Sequence, residues 1–133
     1  MRSRASNLAG ALLLIAGLIP PAGSVAGGDA AWHYTLGEVR ENQQGNFCNG
    51  ADDVTELALI FRKYGVLPGF SALSGSPNCA TRVGTFTPHE IVEVVVIEEG
   101  KPNEYMIRFL LVEMHGGERS YLVTTRDVMP ANN

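Results

Sequence analysis

Apolar and polar residues along the chain fall into blocks of different period. Over residues 31–40, Trp32, Tyr34 and Leu36 alternate with polar or small neighbours, the period of two of a half-buried strand. Residues 41–45 (ENQQG) are polar and read as a turn. Asn49 stands where it can cap a helix, with Asp52 and Asp53 in the first turn, where the helix dipole favours anions. Val54, Leu57, Ala58 and Phe61 then recur at helical spacing. Arg62 and Lys63 suit a last turn, Gly65 a left-handed cap, and Pro68 bars continuation. The pattern predicts a helix over residues 51–64.

Residues 65–80 (GVLPGFSALSGSPNCA) mix turn formers with Val66, Leu67, Phe70 and Leu73. They read as a loop that either tucks these side chains over the core or lines a binding cleft. Residues 82–87 predict a short strand ended by Pro88, which has no N–H to donate to a ladder. Residues 91–97 (IVEVVVI) are nearly all β-branched and predict a strand covered on both faces. After a turn at 98–103, Tyr105, Ile107, Phe109 and Leu111 line one face of a strand over 104–114. His115-Gly116-Gly117-Glu118 makes a tight hairpin. The chain returns over 119–125, with Tyr121 and Val123 on one face, and the tail from Arg126 reads as loose.

The order is thus β–α–β–β–β–β, with meander connections late in the chain. It predicts an α+β, mainly β fold: a small, bent antiparallel sheet or partial barrel with one helix after the first strand.

The beginning of the chain changes the picture. Arg2 and Arg4 precede an uncharged run from Leu8 to Ile19, then Pro20-Pro21 and the small residues Ser24-Val25-Ala26. Twelve apolar residues rise about 18 Å as a helix, short of the roughly 30 Å hydrocarbon core. Residues 1–26 therefore read as a cleavable signal peptide, leaving 27–133 as one exported domain. No stable membrane span is expected after cleavage. Removing Arg2 and Arg4 takes the ten basic residues to eight, against fourteen acids, a net −6 where the full chain has −4. Such a balance argues against nucleic acid as a partner. Cys48 and Cys79 are the only cysteines and, in an oxidising compartment, read as one disulfide.

A cysteine directly before a helix, and a second followed by a Phe-x-Pro strand (Cys79, then Phe86-Thr87-Pro88), occur with a closing hairpin ending Tyr121-Leu122-Val123-Thr124-Thr125-Arg126. Over about residues 45–128 this combination resembles a loose set of short exported bacterial proteins. The resemblance implies an SH3-like barrel with a helix inserted after the first strand. Most members have no assigned activity, and no functional residue carries over from them.

Catalytic signatures are weak. His89-Glu90 with Glu93 is the nearest approach to a metal-binding fragment, but it lies on predicted strand rather than on the helix that His-Glu-x-x-His requires. Ser71, Ser74 and Ser76 read as loop composition, and no phosphate-cradling glycine loop is present. No metal or cofactor is implied. Tyr121, Arg119 and Arg126, near the last strand, are the candidate binding residues, as an aromatic anchor with two guanidinium contacts. The expected role is a non-enzymatic module of the bacterial cell envelope binding a protein, a peptide or a peptidoglycan strand, one form being a hydrolase inhibitor. The alternatives are a small periplasmic hydrolase or metal-dependent enzyme using His89, His115 and nearby acids, and a structural subunit pairing through an exposed strand edge.

Overall fold

The computed structural model describes residues 32–98 and 104–131. The expected signal peptide lies outside these residues. The chain divides into two units, Met1–His33 and Tyr34–Asn133, and the second carries the fold. The elements of the described residues are β1 (His33–Thr35), β2 (Arg40–Cys48), α1 (Ala51–Tyr64), α2 (Val66–Gly75), β3 (Cys79–Glu98), β4 (Glu104–Met114), β5 (Arg119–Thr124) and β6 (Asp127–Met129). β2, β3, β4 and β5 close into an antiparallel barrel in that order, and β1 pairs with β6 as a separate ribbon. The fold is α+β and mainly β.

α1 spans the expected residues, and it buries the expected stripe, Val54, Leu57, Ala58 and Phe61. Its N-cap is Gly50 rather than Asn49, and the Asp53 carboxylate accepts the Gly50 N–H at 3.0 Å. Gly65 ends it with φ 102° and ψ −173°, a region open to glycine alone and not the left-handed cap expected.

Four of the expected element boundaries are corrected. Residues 41–45 belong to β2, because Gln43, Gln44 and Gly45 pair with Gly84, Val83 and Arg82 of β3. Their polarity reflects a solvent-facing side of the barrel, not a turn. Residues 65–80 hold a second helix, so two helices stand between strands among the described residues, and they follow the second strand. Pro68 is the third residue of α2, inside the first turn, where no intrahelical donor is needed. Gly69 and Leu73 are buried, and Phe70 and Ala72 pack on the core, so this segment covers it.

The third correction is Pro88, which does not end a strand: β3 runs unbroken for 20 residues. The Gly37 N–H donates to the Pro88 carbonyl at 2.8 Å, so Pro88 turns its backbone groups away from β4 and its missing donor removes no ladder bond. Irregularities between Pro88 and Glu90 and between Ile91 and Glu93 bend the strand. Its first part thereby pairs with β2 and its second with β4. Fourth, the tail from Arg126 is not wholly loose, since residues 127–129 form β6.

Two cores lie on the two faces of the sheet. Inside the barrel, Tyr34, Phe47, Phe86, Leu110, Val112, Met114 and Leu122 pack together. On the outer face, Phe61 and its helical neighbours meet Val95, Ile107, Phe109 and Val123. Cys48 and Cys79, directly opposite each other in β2 and β3, form the expected disulfide beside this second core.

Candidate binding surface

The register of β4 decides which way each backbone group on β3 points. On β3, Pro88 stands opposite Val112, Val94 opposite Arg108 and Val96 opposite Met106, all even-numbered positions of the regular strand β4. In an antiparallel ladder, a residue's N–H and C=O both point to the same side, and the side alternates. The Pro88 carbonyl is taken by Gly37 on the side away from β4, and the Val94 carbonyl by Arg62 Nη2 at 3.1 Å. Pro88 aligns with Val112 and Val94 with Arg108, both even. The same parity turns the N–H and C=O of Val96 to that outer edge.

Among the described residues, no strand pairs with β3 beyond Phe86 on this edge, since β2 ends its pairing there. Residues 90–98 are therefore an open strand edge, on an arm three strands wide over 90–94, where β5 pairs with the far side of β4, and two strands wide over 95–98.

The faces of this arm differ. Toward the helices point Glu90, Glu93, Val95 and Ile97, with Val95 buried against α1. The opposite face carries Ile91, Val94 and Val96, exposed to 38%, 38% and 50%. Residues 91–97, expected to be covered on both faces, are covered on one. Glu93 forms an ion pair with Arg62 of α1, so one guanidinium holds both a carboxylate and the edge carbonyl of Val94. Residues 83–98 carry Glu90, Glu93 and Glu98 and no lysine or arginine.

The residues expected to bind a partner are not gathered. Arg119 starts β5 opposite Glu113, and Arg126 lies just past its end, roughly 20 Å away at strand rise. Tyr121 packs against the helix-side core. Arg126 lies on the barrel side instead, its guanidinium 5.3 Å from the Tyr34 ring centre, with Nη1 donating to Gln43 at 3.2 Å.

Of the histidines and acids, Glu113 and His115 line one shallow pocket beside the hairpin. His89 pairs with Glu113 at 3.0 Å in the open, and His115 sits in the hairpin turn. Among the described residues, no three of His, Cys, Asp or Glu stand where they could hold a metal. Ser76 serves the turn after α2, its hydroxyl accepting the Asn78 N–H.

The chain matches no family model, and no curated protein or solved structure is detectably similar to it. Among the described residues, no helix is long and apolar enough to cross a membrane.

The open edge was hard to anticipate. A continuous β-branched run looks the same whether one face or two are covered, and the signal lay in Glu90, Glu93 and Glu98 interrupting and flanking it.

Proposed function

We propose that this chain is an exported, non-enzymatic binding module of the bacterial cell envelope, an SH3-like barrel that recognises a partner polypeptide. One observation carries the reading: an apolar stripe of Ile91, Val94 and Val96 left exposed beside an open strand edge. Exposed apolar stripes with unpaired backbone groups are costly to keep in solution, and natural sheets cover or blunt them unless they serve an interaction. An edge of amides suits a polypeptide better than a glycan, because a ladder needs alternating N–H and C=O groups. The disulfide suits an oxidising, extracytoplasmic setting. The same edge also favours a second reading, a structural subunit that pairs strand to strand within an envelope assembly.

The test is site-specific photocrosslinking in an envelope extract, with the crosslinker at Val96 or at Glu118, beyond the other end of β4. The module reading expects a polypeptide adduct from position 96 and none from 118. Adducts from neither position, to protein or to peptidoglycan, would end it. A regular ladder of multimeric adducts would favour the structural subunit.

A further inference from the structure

We propose that the open edge of β3, residues 90–98, takes as an added strand an extended partner segment in which aliphatic and basic residues alternate. This rests on the binding-module reading and names its ligand. Side chains of an added strand alternate between the two faces of the arm. On one face they meet Ile91, Val94 and Val96, which asks for aliphatic residues. On the other they meet Glu90 and Glu93, which asks for cations at that end of the edge, while Val95 and Ile97 further along are already packed on the helix-side core.

The chain itself supplies the template for this chemistry. Arg62 places a cation on Glu93 and an N–H donor on the Val94 carbonyl, the two things that a basic residue of an incoming strand and its backbone would bring. Arg62 is half-exposed and reaches the edge from α1 by a flexible side chain, so it can be displaced without unfolding the helix. Until then it blunts the edge, as charged side chains on edges commonly do. A second copy of the chain fits less well. It would bring three more carboxylates to the edge, and the nearby arginine is already engaged with Glu93.

The probe is a nine-residue blocked peptide of alternating lysine and valine, titrated against the oxidised protein. The control peptide has the same composition with the lysines in one block and the valines in another. The alternating peptide is expected to bind, to slow amide exchange at Val94 and Val96, and to outcompete the block control.

Val96→Pro removes a donor that faces the open edge and leaves the bonds to β4 intact. It should weaken binding about fivefold or more, the equivalent of one net hydrogen bond. Val96→Lys keeps the backbone and sets a like charge against the probe, so it should also weaken binding if Val96→Pro does not fold. Arg62→Ala should tighten binding several-fold by vacating the edge.

Equal binding of the two peptides, or binding indifferent to both Val96 variants, would overturn the proposal in favour of bulk charge attraction. Self-association abolished by Val96→Pro, with no peptide binding, would make the occupant a second copy and also overturn it. Failure of the peptide to bind, with a polypeptide still crosslinked from position 96, would reject this ligand chemistry while leaving the module reading standing.

Discussion

The ring of Phe61 leaves no room for a side chain at Gly69. A Cβ built on Gly69 would lie 2.1 Å from Phe61 Cδ1 and 2.2 Å from Cε1. Phe61 is fully buried and is held edge-on by Phe70 at 5.0 Å and Phe109 at 6.2 Å between ring centres, so it cannot step aside. The close approach of α2 to α1 thus depends on this glycine. Gly69→Ala is expected to destabilise the fold by about 1–3 kcal/mol, the range for overpacking a filled core. Gly75, at the end of the same helix, has nothing within 4 Å of its Cβ position. Gly75→Ala should be neutral or stabilising by up to about 1 kcal/mol. Urea unfolding of the two variants checks the contrast, and equal effects would contradict the packing described.

Pro88 tests the strand assignment. Its missing N–H faces away from β4, so Pro88→Ala breaks no ladder bond, but the ring is fully buried and its truncation should cost about 1–2 kcal/mol. Ile107 aligns with Val95 at a position where β4 bonds to β3, so Ile107→Pro should cost about 3 kcal/mol or more. Denaturant midpoints for the pair measure this. A loss from Pro88→Ala as large as that from Ile107→Pro would contradict the strand assignment.

The disulfide closes a loop of 31 residues between β2 and β3. Replacing Cys48 and Cys79 together by Ala should lower stability by about 3.5 kcal/mol on the chain-entropy account. Cys48 is buried beside Val54, Leu57 and Val123, so lost packing adds to that figure. Chemical denaturation of the oxidised protein against the double variant gives the number, and a loss under about 1 kcal/mol would contradict the account.

Elements whose own residues carry a regular period were legible in the chain. α1 announces itself through its stripe from Val54 to Phe61 and its charged ends, and β4 through the alternation of Tyr105, Ile107 and Phe109. The segments misread are those whose structure comes from distant partners. Gln43, Gln44 and Gly45 extend because β3 lies beside them, and Gly45 is needed there because a Cβ would stand 2.8 Å from Leu122. The glycine, serine and proline of residues 65–76 mimic a loop, yet Pro68 sits in a first turn and Gly69 on a ring. For the binding surface, the β-branched run 91–97 declared a strand but not which of its faces stays open. That depends on where β2 stops pairing with β3, a matter of register rather than of local composition.

Residue-resolved amide hydrogen exchange on the free, oxidised protein tests the open edge most directly. The account predicts fast exchange at Val94 and Val96, whose N–H groups face outward, and protection at Val95, whose N–H bonds to β4. Equal protection at all three would show the edge already covered and would contradict the account.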